Sequence, residues 1–208
     1  MSFRATVLAV LAATALAGCT TPSANRQNAS LEAIAAAAYV HDGPPALTLY
    51  TMINNRSEAG AHSSLMINAP SQRVIFDPAG SVRAVGLLER DDVLYGVTPR
   101  IEQFYERAHA RETYRVRIQR VEVSPEVAEK ALQLAESYGA VSQSQCTVAT
   151  SGVLSQLPGF GDIKRTWFPN KLADNLARHP GVTERVVRED DADDKAVAIA
   201  QFEAQETQ

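Results

Sequence analysis

The chain predicts an α+β domain, an antiparallel sheet with helices packed on it to one side, and three observations carry that expectation. Four extended segments lie between Ala46 and Glu89, joined by connections short enough only for hairpin-like pairing. Beyond Pro99 the apolar residues switch to helical spacing, with recognisable caps. The composition, 45% hydrophobic and 21% charged over 208 residues, is that of an ordinary globular chain with enough material for one core.

Each element has its own local reason. Ser30 can cap a short Ala-rich helix from Leu31 to Val40, closed by Asp42-Gly43-Pro44-Pro45. Ala46–Ile53 reads as a strand, and a polar turn, Asn54 to Gly60, follows it. Ala61–Asn68 and Arg73–Asp77 are the next strands, joined through Ala69-Pro70-Ser71-Gln72, and Val82–Glu89 is a further strand candidate. Pro99 opens a helix to about Arg111, and Tyr114, Val116 and Ile118 alternate with polar residues as in a strand with one wet face. Ser124-Pro125-Glu126 starts a helix that Gly139 ends. The next helix begins at Cys146, sets Cys146, Ala149, Val153, Leu154 and Leu157 on one face, and stops at Pro158-Gly159. A last short helix is expected over Asn170–Arg178. Residues 188–208 open with an acidic run and read as a mobile, solvated tail with a weak helix from Lys195 to Gln205.

The charge balance removes several function classes. Twenty Lys and Arg against 24 Asp and Glu, without a basic cluster, make no footprint for nucleic acid. Two cysteines are too few for a disulfide framework or a thiolate zinc cluster. There is no P-loop, no dinucleotide-binding glycine pattern and no HExxH spacing, so neither cofactor nor metal is expected.

The N-terminus carries a targeting pattern. Arg4 precedes 13 uncharged residues, Ala5 to Ala17, a length that suits the core of a signal peptide and is too short to span a bilayer. It ends in Leu16-Ala17-Gly18-Cys19, which resembles the lipobox of bacterial lipoproteins at all four positions. The resemblance implies removal of residues 1–18, lipidation of Cys19 and a membrane anchor, with residues 19–30 as a flexible tether to a domain over 31–187. Thr20 after the cysteine, in place of aspartate, implies the outer membrane, facing the periplasm.

Lipidation of Cys19 leaves Cys146 without a disulfide partner. A single thiol in an oxidising compartment is either buried and inert or kept for its chemistry. Its place at a helix start favours a thiolate, because the first-turn N–H groups and the dipole are positive there. Among the four histidines, His109 reads as solvated, His41 borders a turn and His179 ends a helix. His62 lies on a strand whose hairpin partner carries Asp77. A two-residue loop sets these two opposite each other, a four-residue loop sets them diagonally on one face, and a three-residue loop separates them. Two of the three registers thus let an aspartate orient an imidazole base.

The order of these pieces resembles the circularly permuted branch of the NlpC/papain-like cysteine hydrolases, which includes the lecithin:retinol acyltransferase-like enzymes. The matching segments are Ala61-His62-Ser63-Ser64-Leu65-Met66-Ile67, Val74-Ile75-Phe76-Asp77, Val123-Ser124-Pro125-Glu126, Gln145-Cys146-Thr147-Val148-Ala149 and Phe168-Pro169-Asn170-Lys171-Leu172. Gln145 departs from the asparagine often found before the nucleophile. The resemblance covers residues 46–178 and implies Cys146 as nucleophile, His62 as base and Asp77 as orienter. It further implies a cysteine hydrolase or acyltransferase acting on an amide or ester of peptidoglycan peptide or a lipid-linked substrate. Two non-catalytic readings stand beside it: the same fold binding peptidoglycan or a protein partner, or a scaffold whose Cys146 is core. A Cys146 that is exposed and near His62 favours the catalytic reading, and an apolar, closed surround for it favours the scaffold.

Overall fold

The structure, a computed structural model, describes residues 28–80, 82–190 and 193–206. The expected signal peptide, Cys19 and most of the tether lie outside the described residues. Among the described residues there are seven strands and six helices: α1 (Leu31–Ala36), β1 (Ala46–Asn54), β2 (Gly60–Asn68), β3 (Arg73–Phe76), β4 (Leu88–Arg90), β5 (Val93–Tyr95), α2 (Pro99–His109), β6 (Tyr114–Glu122), α3 (Pro125–Tyr138), α4 (Cys146–Leu154), α5 (Pro169–Leu176), β7 (Thr183–Val187) and α6 (Lys195–Glu206). No described helix is long and apolar enough to cross a membrane.

All strands join one open sheet in the order β4-β5-β3-β2-β1-β6-β7, and every pair is antiparallel. The class is therefore α+β, as the short connections between strands predict. The β2–β3 register pairs Asn68 with Arg73, so the loop has four residues and places Asp77 across from Ser64, diagonal to His62.

Strand alternation sends residues to two cores. Leu47, Leu49, Leu65, Ile67, Val74 and Phe76 face α3, α4 and α5 in the larger one. Tyr50, Met52, Met66, Ile75 and Val116 point the other way, toward Tyr105 of α2. Helices thus cover both faces, where the sequence suggested one side. The cause is α2, whose Ile101, Phe104, Tyr105 and Ala108 form an apolar stripe that must be buried somewhere.

Several local expectations change. Residues 82–87 form no strand; pairing begins at Leu88, after the turn at Gly86, whose φ is +84°. Strands β5 and β7 were not anticipated, because three and five residues carry too little alternation to read. The part of the acidic tail from 193 to 206 is docked and not free. Phe202 stacks on Phe104 at 4.4 Å, Arg100 lies over its ring, and the Asp193 carboxylate accepts from Thr113 N–H.

Candidate active site

The site forms where β2 outruns its neighbour. Strand β2 has nine residues and β3 four, and their ladder covers only Leu65 to Asn68. Residues 60–64 therefore have β1 on one side and no strand on the other. The start of α4 fills that gap: Ser63 Oγ donates to Thr147 Oγ1 at 3.0 Å, and Thr150 Oγ1 donates to the Ser63 carbonyl at 3.3 Å. A helix start thus takes the place of a β ladder, and it brings the thiol edge-on to His62, whose side chain stands on the opposite face of the sheet. The α5 N-terminus pins the start of β2, with Asn170 Nδ2 donating to the Glu58 carbonyl at 2.8 Å.

Three side chains meet in a line. His62 Nε2 donates to Asp77 Oδ1 at 2.7 Å, and the ring lies near enough to Cys146 for each group to shift the other's pKa. With Nε2 committed to the carboxylate, Nδ1 is the nitrogen left for the sulfur. The structure therefore brings together all three residues singled out as nucleophile, base and orienter. Cys146 is 7% exposed, and its surround is polar, with Thr147 Oγ1 3.8 Å from Sγ and itself accepting from Ser63 Oγ at 3.0 Å. The surround is polar, unlike that of a merely structural thiol, but it is closed: Cys146 is buried, and the exposure expected of a nucleophile is not met. No side chain caps α4, so its first-turn N–H groups remain open at the thiol end.

Electrostatics follow from these contacts. Burial pushes the Cys146 thiol up, but the proximity and charge of His62, then the Ser63 backbone and Thr147, outweigh it and hold it at about 7. Burial alone would lower His62; Asp77 and Cys146 reverse that and raise it to about 9. Burial would likewise raise Asp77, yet the hydrogen bond and charge of His62, with the Tyr105 hydroxyl, bring it down to about 2. Between about pH 7 and 9 the pair is thiolate and imidazolium, with an ionised carboxylate behind it.

Other residues support the line and were not anticipated. The Tyr105 hydroxyl lies 2.8 Å from Asp77 Oδ1 and 2.7 Å from Ser64 Oγ. Having one proton, it donates to the carboxylate and accepts from Ser64. His109, expected to be solvated, is buried; Tyr105 and His109 continue the stripe of α2, and that spacing is the signal that could have found them. The His109 ring stacks on His62 at 6.1 Å, its Nδ1–H donates to the Tyr105 carbonyl, and burial lowers its pKa to about 3, so it is neutral. Asp92 Oδ2 accepts from Ala79 N–H at 2.8 Å and Val141 N–H at 2.9 Å, tying the turn after Asp77 to the loop that leads to Cys146. Gly80 lies so close beneath Asp77 that an added Cβ would fall 1.7 Å from Oδ2.

His62, Asp77 and His109 have ligand atoms within 4.8 Å of one another, the spacing of a metal set. The fit is poor. His62 Nε2 and Asp77 Oδ1 are at hydrogen-bond distance, about 0.5 Å closer than two ligands of one tetrahedral zinc ion stand. Arg111 and Lys195 also line the adjoining cavity, and their charges oppose a dication.

Searches among models of known families, curated protein sequences and solved structures find no match to this chain.

Proposed function

We propose that the chain is a cysteine hydrolase or acyltransferase with a papain-like, circularly permuted domain, held by a lipid on Cys19 at the outer membrane and facing the periplasm. The observation that carries the activity is the gathering of Cys146, His62 and Asp77 at an uncapped helix start, with His62 hydrogen-bonded to Asp77 and coupled electrostatically to the thiol. The Cys146 thiolate attacks the carbonyl carbon of an amide or ester, forming a C–S bond while the π electrons move to oxygen. The open N–H groups of the first turn are the nearest donors for that oxyanion. His62, already protonated, gives its proton to the leaving nitrogen or oxygen as that bond breaks. It then takes a proton from water, or from an acceptor nucleophile, as that group attacks the thioester and releases Cys146. Asp77 holds the ring and stabilises the imidazolium throughout. Peptidoglycan peptide and lipid-linked esters or amides are the substrate classes that the envelope location favours.

The test uses full-length protein incubated with peptidoglycan fragments and, separately, phospholipid vesicles. Mass spectrometry should find a hydroxylamine-labile acyl adduct on Cys146, or released product, and neither with Cys146→Ala. No adduct and no product on either substrate, together with a thiol that alkylates only after denaturation, overturns the enzymatic reading in favour of a binding lipoprotein. Cys19→Ala should shift the protein from the membrane fraction to a soluble pool; unchanged fractionation overturns the anchor.

A further inference from the structure

Two aromatic side chains stand in water where the chain enters α5. Trp167 is 59% exposed and Phe168 67%, side by side in the sequence. The other large exposed hydrophobics among the described residues, Leu31, Val40, Val85, Val186 and Val197, stand singly and are aliphatic. Scattered apolar residues are ordinary on a surface, whereas an adjacent Trp-Phe pair marks a contact surface.

The exposure is not slack in the backbone. Ile163, Thr166 and Pro169 are buried, and the residues between them are exposed. Thr166 N–H donates to Ser151 Oγ at 3.1 Å, and Phe168 N–H donates to Thr166 Oγ1 at 3.2 Å. A Cβ on Gly60 would fall 2.7 Å from Pro169 Cβ, so the segment abuts the start of β2, two residues from His62. The rings are thus presented on a fixed edge at the His62 end of β2.

The same edge is basic in a chain of net charge −4. Lys164, Arg165 and Lys171 are exposed, and none is ion-paired among the described residues. Lys164 Nζ donates to the Gly161 carbonyl and Arg165 Nη2 to the Tyr138 hydroxyl, both uncharged. Acids on the packed neighbours are engaged elsewhere: Glu58 with Arg115, Asp174 with Arg117 and Glu136 with Gln72. Asp162, in the loop before Lys164, is set against three cations.

We infer that this edge docks on a lipid bilayer whose surface carries acidic headgroups. A bilayer takes both features at once: the amphipathic indole settles at headgroup depth with the phenyl ring beside it, and each cation meets the negative surface. Cations flanking exposed aromatics are the recognition pattern of peripheral membrane segments. The inference needs neither catalysis at Cys146 nor a lipid on Cys19.

Trp167 is the only tryptophan in the sequence, so its emission reports this edge alone. The experiment mixes the full-length protein with vesicles of phosphatidylcholine, with or without phosphatidylglycerol. Emission should shift to the blue on the acidic vesicles, be quenched by bromine-labelled acyl chains, and revert as salt is raised. Lys164→Gln, Arg165→Gln and Lys171→Gln should each weaken the vesicle affinity read from that shift about fivefold. Phe168→Ala should weaken it severalfold and leave the melting temperature unchanged, because most of the ring is already in water. Trp167 neither shifted nor quenched on acidic vesicles overturns the inference, and any flotation of the protein with them is then due to its N-terminus. An equal shift on phosphatidylcholine alone overturns the acidic surface. A shift with peptidoglycan fragments and with neither vesicle overturns the bilayer in favour of a glycan platform.

Discussion

At the scale of single residues, the chemistry depends on which contact of Cys146 outweighs its burial. At pH 6 a thiol of pKa about 7 has about thirtyfold more thiolate than one of 8.5, and the lower intrinsic nucleophilicity removes about fivefold of that. Iodoacetamide should thus modify Cys146 about sixfold faster than a free thiol at pH 6, with an inflection near 7. His62→Ala should move that inflection up toward the range of a buried thiol. Asp77→Asn keeps the shape and removes the charge, so it should slow alkylation at pH 6 too. The double mutant should be no slower than His62→Ala, and simple additivity would mean that Asp77 acts elsewhere. The same shifts link to stability. Raised to about 9, His62 contributes stability that is complete below its unfolded value near 6.5 and lost as pH rises through 9. Asp77, lowered to about 2, contributes above about 4 and loses its share as pH falls through 2. Urea titrations across pH should show both limbs in the wild type, and His62→Ala should flatten the alkaline one.

At the scale of elements, two short connections matter more than the helices they join. The turn after β3 holds Asp77 over Gly80, where a methyl group has no room. Gly80→Ala should cost ~1–3 kcal/mol through overpacking and slow Cys146 alkylation by displacing the carboxylate. Unchanged melting and unchanged alkylation together would show that the turn relaxes freely. Asp92 reaches from β5's leading turn to two N–H groups, one beside Asp77 and one before α4. Asp92→Ala leaves both donors without their acceptor, ~1–3 kcal/mol for each that water does not reach. Its signature should be a raised Cys146 inflection, since one substitution loosens the nucleophile and the orienter together. Asp92→Asn retains one oxygen acceptor and should recover part of both effects.

At the scale of the whole molecule, helices on both sheet faces give the site two independent supports. The larger core fixes α4 and hence the thiol; the smaller one fixes α2 and hence Tyr105 and His109 behind Asp77. Helix α6 adds a third contact by burying Ala198 and Phe202 against Val82, Phe104 and Ala108. Phe202→Ala should cost ~3 kcal/mol of local docking energy, the low end of the core Phe→Ala range, because Phe202 sits at the margin of the domain. Limited proteolysis should then cut between residues 188 and 195 faster than in the wild type. Thermal unfolding of the main sheet should move little, because α6 packs chiefly on α2.

Local order reads directly from residue to structure. Ser30, Thr98 and Ser124 cap helices through their own hydroxyls, Gly139 ends one at φ +80°, and the alternation of Tyr114, Val116 and Ile118 marks β6. Such features depend on neighbours within one turn or one hairpin, so sequence alone determines them. The His62–Asp77 relation was half determined: parity left two registers that allow it, and the four-residue loop selected the diagonal one. Tertiary structure decided what remained. Burial of His109 needed α2 to find the second face of the sheet, and the docking of α6 needed Phe104 to be exposed there. The thiol reaches the imidazole across the sheet only because β3 is shorter than β2, which leaves Ser63 to be paired by a helix start. Strand length at that edge is set by competition among partners distant in sequence, and no local pattern in Cys146 or His62 encodes it.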